Sequence, residues 1–134
     1  MDSKMIFENE FLSIIKDSEN DFLQAAWKTK TVNMNRREHQ HSLRKLFEYA
    51  KAAKPSSMIF NFSNFFYALD ELEQDEIAQL SEEVVHEGLE KCALIPSRGM
   101  MEQLAVEQTV KKVDESIAIR FFRDELTAKQ WLGE

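Results

Sequence analysis

The stretch from Ser57 to Phe66, Ser-Met-Ile-Phe-Asn-Phe-Ser-Asn-Phe-Phe, is apolar on both of its alternating sides and lies between two long, highly charged segments with helical spacing. A strand that is apolar on both sides must be covered on both sides, which is the condition of a central strand in an α/β sheet. Both flanking segments are long enough to be crossover helices. Ligands and partners of such sheets gather at the loops that leave the carboxyl ends of the central strands. The residues from Ser63 to Asp70 are therefore where function is expected.

The rest of the chain falls in line with that strand. Glu10 to Lys16 and Phe22 to Thr29 are apolar-rich runs separated by Asp17-Ser18-Glu19-Asn20-Asp21, a cluster of turn formers, and read as a hairpin whose second strand ends at Trp27. Asn35, with Glu38 three residues on, has the spacing of a capping box. The helix it opens runs to about Ala53, with His39, Leu43, Leu46, Phe47 and Ala50 as its inward stripe, and Pro55 stops it. Asp70 to Glu90 carries nine acids and no lysine or arginine. It reads as a helix with a solvated outer face, with Ile77, Leu80, Val84 and Gly88 inward and Gly88 able to end it in the left-handed conformation. Lys91 to Ile95 is a short strand. Pro96-Ser97-Arg98-Gly99 is a turn into a helix with Ser97 as a candidate cap and Met101, Leu104 and Ala105 inward. Ile117 to Phe122 is a last strand, and Asp124 opens a final helix that presents Ala128, Trp131 and Leu132 to the core. This order predicts a single α/β domain: a mostly parallel sheet, an N-terminal antiparallel hairpin and about four helices.

Charge and composition remove several function classes. With 134 residues and a net charge of -7, the chain is sized for one domain and lacks the basic surface that phosphate contacts require, so no nucleic-acid partner is expected. No apolar run reaches the roughly 20 residues of a membrane span, and the start of the chain lacks the pattern of a signal peptide, so a cytoplasmic location is expected. The lone Cys92, flanked by Ala93 and Leu94, is in the setting of a buried hydrophobe rather than a nucleophile. His39 and His41 fall on different helical faces and cannot share a metal, and His86 sits in an acidic helix. Three glycines are too few for a phosphate-cradling loop. No catalytic residue, metal site or cofactor is expected, and the acids of Asp70 to Glu90 are taken as solvated.

One local arrangement is more specific. If the central strand and Lys91 to Ile95 are neighbours, Ser63, Asn64, Tyr67 and Asp70 come beside Ser97, Arg98 and Gly99 at the start of a helix. There a small anion could sit, or Arg98 could simply pair with Asp70 or Glu71.

With this order of elements the chain resembles the STAS superfamily, the sulfate-transporter and anti-sigma-factor-antagonist domains, and within it the small stand-alone STAS-like bacterial branch. Trp27 closing the second strand, Asn61-Phe62-Ser63 where the family commonly has Asp-x-Ser, and Phe121-Phe122, Ala128 and Trp131-Leu132 at the end carry the resemblance. It implies a scaffold that works by binding a protein partner or a small ligand. In the antagonist members a serine at the start of the helix after the central strand is phosphorylated. Here that position falls at or beside Asp70, and Tyr67 to Leu80 holds no serine or threonine, so Asp70 is read as a fixed charge or a cap. Two function classes follow: a non-enzymatic regulatory or protein-interaction domain, or a carrier enclosing an apolar ligand or lipid between sheet and helices, lined from ten phenylalanines and six methionines. A charge asymmetry adds a third expectation. Lys28 to Lys54 holds eight bases against two acids. The basic first helix could pair with the acidic second helix across a weak two-fold homodimer, or the two helices could neutralise each other within one chain.

Overall fold

The computed structural model describes residues 3–113 and 115–134. Six strands form one sheet: β1 Ser3–Glu8, β2 Leu12–Asp17, β3 Phe22–Trp27, β4 Ser57–Asn61, β5 Lys91–Ile95 and β6 Ala118–Phe121, in spatial order β1-β2-β3-β4-β5-β6. The first three pair antiparallel, and β3 to β6 are parallel. The helices are α1 Arg36–Ala53, α2 Glu71–His86, α3 Met100–Val110 and α4 Glu125–Leu132, with a 3₁₀ helix at Thr29–Asn33. The chain is therefore the α/β fold expected, with a mostly parallel sheet, an antiparallel N-terminal ribbon and four α-helices.

The connections β3-α1-β4, β4-α2-β5 and β5-α3-β6 each step one strand in the same direction, so right-handed crossovers place α1, α2 and α3 on one face. The row Leu23, Met58, Cys92 and Ile119, in register across four strands, lies under them. The other face, Phe22, Ile59, Ala93 and Ile95, is covered by α4 through Ala128 and Trp131. Lys91 and Arg120 lie against the Trp131 ring at 5.2 and 5.5 Å, and Lys91 Nζ donates to the carbonyl oxygens of Trp131 and Glu134, which fastens the C-terminus.

Local chemistry explains the element ends. Asn35 and Glu38 form the expected capping box on α1, and Asp70 and Glu73 form a second on α2. Gly88, at φ +113°, ends α2 with Gly88 N–H donating to Val85 O and Leu89 N–H to Val84 O, and Leu89 is buried behind it. This is the six-to-one and five-to-two pairing of a Schellman motif.

Several expectations need correction. The central strand stops at Asn61, not Phe66. Ser63 N–H turns back to Asn61 Oδ1 at 2.9 Å and Phe65 N–H to Phe62 O at 2.9 Å, so the second half of the apolar run is a return loop. The sheet begins one strand earlier than the hairpin: β1 is a mostly exposed edge strand whose three apolar residues, Met5, Ile6 and Phe7, are consecutive and give no alternation to read. Thr29 belongs to the 3₁₀ helix rather than to the hairpin. In α2 the buried residues are Glu73, Gln74, Ala78 and Val84, whereas Ile77 and Leu80 are half-buried and Gly88 is exposed. In α3, Ala105, Val106 and Thr109 face inward, and Met101 and Leu104 face solvent. Apolar residues lie all round that helix, so spacing could not choose its face.

The charge asymmetry is met in part within the chain. Arg36 pairs with Asp70, Lys51 with Glu83, and Lys54 with Glu87 at 3.4 Å, which stitches α1 to α2 side by side. Three of the six bases from Arg36 to Lys54 are thus paired with α2 and its ends, whereas Arg37 and Arg44 have no ion pair among the described residues.

Cys92 is buried under the helices, and burial pushes its thiol up to about 12. Alkylation of the native protein at neutral pH should therefore be limited by opening of the fold. Modification as fast as that of a free thiol would show that this strand is not closed.

Candidate functional site

Because β3 to β6 are parallel, the residues after each carboxyl end converge on one edge of the sheet: the 3₁₀ helix and α1 start after β3, residues 62–70 after β4, residues 96–99 after β5, and the α4 start after β6. Since β4 and β5 are neighbours, the expected site residues do come to one edge, in two separate clusters.

The first holds Ser63, Asn64, Ser97, Arg98 and Gly99. Arg98 Nε donates to Ser63 O at 3.0 Å, its guanidinium also donates to Asn64 Oδ1, and it lies 5.7 Å from the Phe66 ring. Ser97, buried, donates through Oγ to Phe65 O at 2.9 Å and accepts from Gly99 N–H at 3.1 Å. Gly99, not Ser97, is the N-cap residue of α3. Ser63 Oγ donates to Asn61 Oδ1 at 2.7 Å, and Asn61 Nδ2 donates to Glu125 Oε2 at 2.9 Å. The cluster is a clamp between two loops, with each named polar group spent on another.

The second cluster holds Tyr67 and Asp70 with three residues that sequence reading did not place in a site: Arg36, His39 and Glu73. Arg36, not Arg98, takes Asp70. The backbone N–H of Glu73 and the Arg36 guanidinium hold the Asp70 carboxyl below the usual range. Glu73, expected to be solvated with its neighbours, is only 3% exposed. Its Oε1 accepts from Asp70 N–H at 3.0 Å and its Oε2 from Tyr67 OH at 2.6 Å. His39 is 1% exposed, its ring stacked on Tyr67 at 4.8 Å. Its Nδ1 lies 3.1 Å from Glu73 Oε2, but at an angle that makes no hydrogen bond. Among the described residues it is the only buried side-chain nitrogen or oxygen without such a partner. Burial pushes the His39 pKa down, with the Glu73 carboxylate opposing it, and burial together with Glu73 pushes the Tyr67 hydroxyl up. The capping-box spacing Asp70-x-x-Glu73 was visible in the sequence, and so was the inward placement of His39. What joins them is the packing of α1 against α2, which spacing does not encode.

Behind both clusters, an apolar space of about 80 Å³ lies between the sheet and α1, α2 and α3, lined among others by Trp27, His39, Met58, Phe65 and Cys92. Among the described residues, no three His, Cys, Asp or Glu converge to hold a metal ion, and no helix is long and apolar enough to cross a membrane. Comparison with family models, with curated proteins and with solved structures finds no match.

Proposed function

We propose that this chain is a non-enzymatic, STAS-like regulatory domain of the cytoplasm that binds a protein partner at the carboxyl edge of its parallel strands. One observation carries this reading: Val32, Leu72, Met100, Met101 and Leu126, all large and all exposed, sit in the 3₁₀ helix after β3 or in the first turns of α2, α3 and α4, on one edge of the sheet. Single exposed apolar residues are ordinary, whereas a set gathered on one edge marks an interaction surface. The polar groups beneath them are paired with one another, which favours a protein surface over a small anion there.

The carrier reading has the apolar space in its favour. An engineered apolar cavity of about 150 Å³ holds one benzene, so a space of about 80 Å³ admits a lipid only if the helices part. Affinity capture from the native host, paired with a native mass spectrum, tests both. The expected result is a mass equal to the chain alone and a partner captured by wild type but lost when Leu72 and Met100 are both replaced by serine. A co-purifying acid or lipid at full occupancy, with capture indifferent to those substitutions, would install the carrier instead.

A further inference from the structure

The two helices at the centre of the exposed edge have an unusual charge content. Together α2 and α3 contain eight acids and no lysine or arginine. Glu73 is buried against His39, and Asp75 and Glu83 are paired with Lys112 and Lys51. Glu71, Glu76, Glu82, Glu102 and Glu107 have no cationic partner among the described residues. The two helices are held side by side by Gln74 Nε2 donating to Gln108 Oε1 at 3.2 Å and Lys112 Nζ to Asp75 Oδ1 at 2.8 Å. Their exposed apolar residues are Leu72 at 73%, Met100 at 85%, Met101 at 67% and Leu104 at 49%. A helix that carries apolar residues all round is ordinarily buried all round, and α3 is covered on one side only.

We infer that Leu72, Met101 and Leu104, with the exposed Glu71 and the half-buried Glu76 and Glu102 on the same two helices, form a docking surface for a cationic amphipathic helix of a partner protein. Apolar anchors at helical spacing would enter between the methionine and leucine side chains, which adapt to varied shapes, and lysines or arginines on the flanks of that helix would meet the unpaired carboxylates. Charge complementarity selects this occupant. An anionic membrane surface or a nucleic acid would be repelled by the same acids. A second copy of the chain is a poorer match: α1 exposes bases, but none of the exposed large apolar residues lies on it. The inference rests on the interaction reading above and gives that partner its chemistry.

The probe is a dye-labelled synthetic peptide of leucine and lysine patterned at the helical period. Its controls have the same pattern in leucine and glutamate, and in serine and lysine. Fluorescence anisotropy should show binding of the leucine-lysine peptide alone, weakened by salt and weakened about tenfold or more by Met101→Ser with Leu104→Ser, or by Glu71→Lys with Glu102→Lys. Met101, Leu104 and Glu71 are exposed and Glu102 is half-buried, and an unchanged melting temperature confirms that each variant is folded. Equal binding of the serine-lysine peptide, no binding at about 100 µM, or an unchanged affinity in the Met101-Leu104 variant would overturn the inference. So would a wild-type dimer that buries the surface and is lost in that variant. If the partner captured from the host is retained by the Met101-Leu104 variant, the interaction reading stands and this surface falls. If wild type captures nothing at all, the interaction reading itself falls.

Discussion

Replacing Glu73 by alanine should cost about 1–3 kcal/mol of stability, read by urea unfolding, because it takes the acceptor from the half-buried Tyr67 hydroxyl and Asp70 N–H and leaves a gap beside His39. Tyr67 OH, Asp70 N–H and the edge of His39 all meet this one carboxylate, which is nearly closed to solvent. Glu71→Ala is the matched control. It lies two residues away on the same helical turn, is exposed and has no ion-pair partner, so its effect should stay within about 0.5 kcal/mol. Glu73→Gln keeps an acceptor for Tyr67 and the volume of the side chain, and should fall between the two. The same cluster sets a pH dependence. The folded His39 pKa lies below its ordinary value of about 6.5. The unfolded chain therefore takes up the proton first, and the stability held by the neutral ring is present above about pH 6.5 and lost as pH falls below it. Unfolding midpoints that stay flat from about pH 7 to 5 in wild type would contradict this assignment.

All of the sheet but its first strand, the four helices and their order were legible because each helix carries a start signal, an inward stripe or a stop that acts locally. The Asn35 cap, Pro55, Gly88 and Asp124 are signals of that kind. The edge where function is placed was legible for a topological reason: a mid-chain strand apolar on both sides fixes which loops meet at its carboxyl end. The contents of that edge were much less so. Arg98 and Asp70 lie on the same edge, yet each has a nearer partner, Asn64 for the first and Arg36 for the second. Choosing among partners needs the angle between helices, which no spacing encodes. Glu73 was hidden among acids of identical type, and only the burial of its capping turn against α1 sets it apart. The exposed face of α3 was missed for the opposite reason, since a helix with methionine and leucine on several sides gives periodicity nothing to choose between.

Phe65 tests whether the return loop is part of the core or merely laid over it. It is a loop residue only 1% exposed, with its ring 5.0 Å from Trp27, 5.4 Å from Phe62, and 6.2 Å from both His39 and Tyr67. Its carbonyl accepts from Ser97 Oγ, so the side chain and the backbone of one residue join β3, the loop after β4 and the loop after β5. Phe65→Ala should destabilise the protein by about 3–5 kcal/mol, the range of a large core ring removed with partial relaxation. Relaxation should be limited, because the cavity left would open into the apolar space that Phe65 already lines, and Trp27 and Met58 around it are held in strands. Trp27 should report the change directly, with red-shifted emission in the variant as water reaches the indole. Phe66, its neighbour, is half-buried beside Arg98, and Phe66→Ala should cost less than half as much. If the two substitutions cost the same, or if Phe65→Ala costs under about 1 kcal/mol, the loop is not anchored by this ring. The convergence of the edge residues would then have to depend on the Arg98 and Ser97 hydrogen bonds alone.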